Sequence, residues 1–340
     1  MDTVTLALQH TKRQLAQPFR FWQWTRLAVV GLLAGELASG GCNASRSFSQ
    51  HAGNPRQLPD LGSIDPALIG LIVVLVVSGL VFGIFMLYVS SVMRFVLFDS
   101  VLAKECHIRQ GWIRRQGPGL KLFLWQVVYA LAVLAGAAVL VGIPAAAAFS
   151  AGWFHAPHEH VLGLALGGIA LFFLMILFIV AAAIVHLFTK DFVVPQMALE
   201  GIGAVEGWRR LWPVVQAEKG GFAVYVLMKA VLAIGAGIII AIVSLILGVL
   251  VAIPTVGLAI IAVLTGKSAG LTWNALTITL AAVVGCVLLA AFLYLLALVA
   301  VPAIVFFPAY AMYFFAARYR ALGVAVYPVA PAQLPTGTTG

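Results

Sequence analysis

Long apolar runs separated by short clusters of cations dominate this chain. Between Asp65 and Arg94 no residue ionises, and comparable stretches follow Lys121, His160, Phe222 and Trp273. A bilayer core is about 30 Å thick and holds no water to satisfy backbone amides, so about 20 consecutive apolar residues predict a spanning helix. The runs predict spans at 66–93, 122–150, 161–187, 222–252 and 273–301, with Pro66 at a helix start and Trp125 and Trp153 as interfacial anchors. A sixth, at 21–40, is weaker, because Arg26 and Glu36 leave only LAVVGLLAG between charges. The last run has no charge from Lys267 to Arg318, twice what one crossing needs. AVPAIVFFP offers nothing to turn the chain, so one span is expected to end near Val301. A break at Pro302 and an in-plane helix at 303–320 follow, with Tyr310, Tyr313, Arg318, Tyr319 and Arg320 at headgroup level.

The pattern changes at 203–216. Val205, Trp208, Trp212 and Val215 recur at helical spacing on one face, and Glu206 and Arg210 pair at i, i+4 on another, which predicts a second interfacial amphipathic helix. Arg109, Trp112, Arg114 and Arg115 suit a further headgroup-level helix ended by Gly117, Pro118 and Gly119. The Pro-, Gly- and Thr-rich tail 324–340 is expected to be disordered. The fold class is thus all-α: a polytopic transmembrane helical bundle of about six spans, one domain over 1–323, with cytoplasmic interfacial helices.

Composition adds one exclusion and one orientation. With 63% hydrophobic and 9% charged residues in 340, the chain lacks the polar surface of a soluble globule. The net charge of +9 is explained by its placement. Apart from Arg46, Arg56, Lys229 and Lys267, every Lys and Arg falls in segments that share one side if all six spans cross. Positive residues mark the cytoplasmic side, so both termini are expected there, in a plasma (inner) membrane, with the loops attracting anionic lipid headgroups. Nucleic acid need not be invoked. A cleavable signal ending in LASGGC is disfavoured by Glu36 within its apolar region and by an overlong basic start. Cys42, Cys106 and Cys286 form no metal or disulfide pattern.

Candidate chemistry is sparse. The loop HAPHEH holds His155, His158 and His160, weak candidates for a metal, though without HExxH spacing. Ionisable groups inside a bilayer are costly, so Glu36, His186 and Lys229 form a possible intramembrane polar site; the latter two are expected to be interfacial or snorkelled unless they line a cavity. The acids Asp99, Glu105, Asp191, Glu200, Glu206 and Glu218 each lie near a cation and read as solvated ion partners. No nucleophile, paired-carboxylate or phosphate-binding motif occurs, so no enzyme and no cofactor are expected. The pairs Gly31/Gly35, Gly79/Gly83 and Gly163/Gly167 permit close helix approach, within the bundle or in a homo-oligomer.

The motifs DFVVP (Asp191 to Pro195) and EGW (Glu206 to Trp208), the Gly-rich start of the next apolar helix, and the stretches PFRFWQWTRLA and RFVLFDSV carry a resemblance. Together they resemble bacterial uncharacterised multi-pass proteins related to the membrane domain of glycerophosphoryl diester phosphodiesterases. The resemblance implies a helical membrane domain without activity of its own; the catalytic barrel of that family has no counterpart here. The expectation is therefore a non-catalytic membrane scaffold or accessory component, with a small-molecule or lipid permease as the alternative.

Overall fold

The structure, a computed structural model, describes residues 3–17, 20–36, 66–153, 160–268 and 274–327. Those residues form helices α1 (Thr3–Ala16), α2 (Phe21–Leu33), α3 (Pro66–Ala103), α4 (Ile108–Ser150) and α5 (Val161–Phe188). A π-helical turn, Thr189–Val193, then leads into α6 (Val194–Glu200), α7 (Ala204–Ala217), α8 (Lys219–Ser268), α9 (Ala275–Ala316) and α10 (Arg320–Val326). Five helical stretches are long and apolar enough to cross a membrane: 70–103, 108–150, 161–200, 219–257 and 277–316. The protein is a multi-pass helical membrane protein.

These helices are too long for a bilayer alone. At 1.5 Å per residue, the 38 residues of α3 and the 50 of α8 extend about 57 and 75 Å, roughly twice a hydrocarbon core. Burial divides each into an exposed far part and a packed near part, here called halves although in α8 the packed part ends already at Lys229. In the far halves the side chains face outward: every residue from Gly70 to Phe85 is exposed, and no residue of α8 after Lys229 whose burial is described is buried. The near halves pack together with α1, α2, α6, α7 and α10 around Phe95, Leu122, Met197, Leu211, Phe222 and Val305. Cations cluster here, at what we call the basic end, because its segments are the connections between apolar runs.

Far halves touch only in places. Tyr129 Oη donates to the Ala182 carbonyl at 2.6 Å, the Phe178 ring covers Gly136, and Phe292 lies over Gly248, joining α4 to α5 and α8 to α9. At the basic end Arg115 clamps three elements. Its guanidinium makes a two-pronged pair with Asp99 of α3, both bonds 2.7 Å, and donates to the Ala198 carbonyl of α6, also at 2.7 Å. Such fork-to-carboxylate geometry fixes orientation as well as distance.

Several expectations change. No break occurs at Pro302: α9 is continuous through Pro302 and Pro308, and Tyr310 is buried in the protein core rather than exposed on an in-plane helix. The interfacial helix expected at 303–320 is therefore the packed near half of a spanning helix. Its FFPAYAMYFF sequence meets aromatic partners from other helices, and those contacts offset the backbone bonds that the prolines remove. Likewise α4 starts at Ile108 and passes through Gly117, Pro118 and Gly119 without ending. Gly119 is there for proximity, since a Cβ on it would lie 2.5 Å from Val92. The stretch expected to span at 21–40 forms in α2 a helix of 13 residues, about 20 Å, too short to cross by itself. It packs on α3 and α9, with Gly31 tight against Ile304. Residues 37–40 lie outside the described residues, as do 328–340 of the expected tail.

Of the small-residue pairs, Gly31 and Gly163 make close contacts, with Ile304 and Trp153. A Cβ on Gly79, Gly83 or Gly167 would meet no other helix within 4 Å among the described residues.

Candidate polar site at the junction of the two halves

Where the exposed halves meet the packed ones, α5 loses its regular winding. Pro195 has no N–H to give the carbonyl four residues earlier, and the turn before it widens into the π-helical segment Thr189–Val193. That turn projects Lys190 and Asp191, neighbours in sequence, toward different partners. Lys190 Nζ donates to Glu36 Oε2 at 2.5 Å, and Asp191 Oδ2 accepts from Lys229 Nζ at 2.5 Å and from Tyr225 Oη at 2.8 Å. Side-chain exposure is 5% for Glu36, 3% for Asp191, 13% for Lys190 and 11% for Lys229. Charges this far from water persist only when paired and hydrogen-bonded.

A third cation joins them. Arg94 of α3 donates from Nε to the Ala34 carbonyl at 3.3 Å, and its Nη2 lies 3.5 Å from His186 Nε2. Its Nη1 is buried without a hydrogen-bond partner among the described residues. Glu36, Arg94, Lys190 and Asp191, together with Leu97, Phe98, Pro308 and Met312, line a partly open cavity of about 40 Å³.

An aromatic wall backs the ion pairs. Phe192, adjacent to Asp191, has ring centroids of Phe188, Phe222, Tyr225 and Phe315 within 5.1 to 5.4 Å, and Tyr225 stacks on Tyr310 at 5.2 Å. Trp208 stacks on Phe188 and donates its indole N–H to Thr189 Oγ1 at 3.1 Å, tying α7 to the π turn. Gly207 allows this approach, since a Cβ would lie 2.8 Å from Val193. Gly201, with φ +69, turns the chain between α6 and α7 in the left-handed region that glycine tolerates.

The three ionisable residues singled out from sequence lie together at this site. Glu36 and Lys229 are buried within it, and His186 stands exposed at its edge. Lys229 does not snorkel; it reaches Asp191 instead. Asp191 corrects the expectation of a solvated acid, being wholly enclosed within the long 161–200 helical run. Sequence reasoning also missed Arg94 and Lys190. The available signal was Pro195 four residues after Asp191, with Tyr225 and Lys229 at i, i+4 on the following apolar helix.

The other candidates separate. On α7 the buried stripe is Ala204, Gly207 and Leu211, with Trp208 and Val215 half-buried, whereas Val205 and Trp212 are exposed beside Arg209. The expected face is thus split, because the helix turns its small residues, not its largest, toward the core. His155 and His158 lie outside the described residues; His160 precedes α5 and stacks on Trp153. Among the described residues no three His, Cys, Asp or Glu side chains gather as a metal site would need.

Of the other acids at the basic end, Glu206 alone has the partner that its i, i+4 spacing suggested. Glu200 meets Arg210 and the Tyr319 hydroxyl, Glu206 also meets Arg210, and Glu218 meets Arg318. Burial first, and then the bond to Glu200, pushes the Tyr319 phenol up. Burial raises the Cys106 thiol and lowers the His10 imidazole. His10 is held between Tyr313 Oη at 3.1 Å and the Val101 carbonyl at 2.9 Å, joining α1 to α9 and α3.

Comparison with protein families matches residues 1–325 to one described as a family of unknown function (DUF7544). The chain belongs to that family. Comparison with curated proteins finds no match, and neither does comparison with solved structures. What this member of DUF7544 does must therefore be argued from its own geometry.

Proposed function

We propose that the protein is a non-catalytic membrane scaffold or accessory component of the plasma (inner) membrane, with its basic end in the cytoplasm. One observation carries this reading: ion pairs and aromatic packing bind the helices together at the basic end, while the far half of α3 offers an apolar face with no partner among the described residues. In lipid there is no hydrophobic drive between helices, so such faces are held either by acyl chains or by close packing against another protein. The exposed trio Val205, Arg209 and Trp212 on α7 suits a headgroup-level anchor beside anionic lipids. The likeness to membrane domains related to glycerophosphoryl diester phosphodiesterases supports the same reading, since DFVVP and EGW here serve the packing of the basic end.

The test is site-specific photocrosslinking in intact membranes from Leu80 and Phe82 of α3. A discrete protein adduct, either a second copy or another membrane protein, is expected. Lipid adducts alone would overturn the scaffold reading.

A second reading, a small-molecule or lipid permease, draws on the π turn, because an interrupted helix with ionisable groups is how many carriers hold their cargo. Against it stand the small size of the cavity and the ion pairs already formed between its walls. Solute flux into proteoliposomes that disappears in Asp191→Asn would favour the permease.

A further inference from the structure

Away from the polar site, the corner between α1 and α2 faces the turn that joins α3 to α4 across an open cleft of about 460 Å³. Arg13, Gln17 and Arg20 enter it from the corner, Lys104 and Glu105 from the turn. An adjoining recess of about 160 Å³ shares Arg20 and Glu105 and adds Trp22, Arg26 and His107. The backbone that carries these charges is fixed. Arg20 caps α2 with its carbonyl, which accepts from the Gln23 and Trp24 amides at 3.0 and 3.2 Å. Gln23 Nε2 donates to the Lys104 carbonyl at 2.8 Å and Arg26 Nη1 to the Cys106 carbonyl at 3.1 Å, so α2 occupies the acceptors of the turn.

The cationic ends are not held in the same way. Elsewhere at the basic end Arg115, Arg210 and Arg318 each meet a carboxylate. Arg13, Arg20 and Lys104 are exposed and form no ion pair among the described residues, although Glu105 lines the same cleft. Three cations against one acid leave an excess of two positive charges. Their field reaches inward: burial lowers the His10 imidazole first, and the charges of Lys104 and then Arg13 lower it further. Lys104 also sits at φ +59, which glycine adopts more readily, so its charge is kept at a cost in backbone strain.

We infer that this cleft binds a phosphate monoester, its dianionic phosphate seated between Arg13, Arg20 and Lys104. Charge selects the class. A monoester carries about −1.5 to −2 at neutral pH, which matches the excess of two left by the lining, whereas a carboxylate or a phosphodiester carries half of that. Arginine offers phosphate oxygens a planar fork, and lysine adds a point charge. The open side leaves room for the molecule that carries the phosphate, either a lipid at the membrane surface or a soluble ester. Once bound, the phosphate ties the α1–α2 corner to the α3–α4 turn. This inference stands apart from the scaffold reading, and photocrosslinking from α3 neither supports nor harms it.

The experiment titrates the full chain in phosphatidylcholine nanodiscs with inorganic phosphate, by calorimetry at constant ionic strength. Saturable binding of one phosphate per chain is expected. The titration is repeated in nanodiscs doped with phosphatidic acid, a monoester lipid, or with phosphatidylglycerol, a diester. Loss of phosphate binding with phosphatidic acid supports the site and assigns it to lipid; binding unchanged there supports it and assigns it to a soluble ester. Lys104→Gly removes one charge while relieving the backbone, so the chain should stay folded and bind phosphate several-fold more weakly, as should Arg13→Gln. Arg109→Gln removes an equal charge at the start of α4, outside the cleft, and should leave binding unchanged. Absence of saturable phosphate on the wild-type chain would overturn the inference. So would competition by phosphatidylglycerol equal to that by phosphatidic acid, or a loss in Arg109→Gln as large as in Lys104→Gly.

Discussion

Removing one member of the Asp191–Lys229 pair should cost far more than removing both. In Lys229→Met the Asp191 carboxylate, 3% exposed, retains among the described residues the Tyr225 hydroxyl as its hydrogen-bond donor, and in Asp191→Leu the ammonium of Lys229 is left facing that hydroxyl at 3.5 Å. Breaking a buried pair from one side costs about 3–5 kcal/mol, whereas exchanging both charges for apolar groups is close to neutral. In the double variant the stranded Tyr225 hydroxyl adds about 1–3 kcal/mol of its own. The singles would add to about 6–10 kcal/mol if independent, so a double near 1–3 kcal/mol implies a coupling of at least about 3 kcal/mol. The assay is a double-mutant cycle on denaturant-induced unfolding in a mixed micelle, with the thermal midpoint as a second reading. At about 2 °C per kcal/mol for a chain this long, each single should drop by roughly 6–10 °C and the double by much less. Additive losses would refute the reasoning, and so would a Lys229→Met no worse than the same change at the exposed Lys12.

Acid should loosen α1. Burial holds the His10 imidazole below its ordinary 6.5, so its contribution to stability is complete above that pH and is lost as pH falls through the lowered value; melting curves from pH 7.5 to 5 should show a decline that His10→Gln flattens. Gly119→Ala places a Cβ 2.5 Å from Val92 Cγ2 and 3.1 Å from its Cα, and is expected to cost about 1–3 kcal/mol by overpacking. Gly79→Ala meets open space and should gain up to about 1 kcal/mol of helix propensity, so equal effects in unfolding titrations would contradict the packing described. For orientation, Cys106 is 4% exposed with a raised thiol pKa and should resist maleimide from either side, whereas Glu105→Cys, beside it and exposed, should label only when the cytoplasmic face is opened. Lys104 sits at φ +59, so Lys104→Gly should raise stability by about 0.5–1 kcal/mol in the same titrations.

Hydrophobic periodicity and charge placement were enough to set the class of this molecule. A run such as 66–93 has one stable solution in hydrocarbon, a helix with its backbone bonds closed within itself, and that conclusion needs no knowledge of neighbours. The same scarcity of charge pointed to Glu36, His186 and Lys229, since each is expensive where it stands. Tertiary structure decided where helices end and what their charges meet. Pro118 and Pro302 look like terminators in one dimension, yet contacts from Val92 to Gly119 and from Tyr225 to Tyr310 hold α4 and α9 straight through them. Asp191 lies 155 residues from Glu36 and 38 from Lys229 along the chain, and its burial depends on a π turn that local spacing cannot place. Local patterning fixes what a segment must do about its own backbone; the partners of a buried charge are set by which distant segments fold against it.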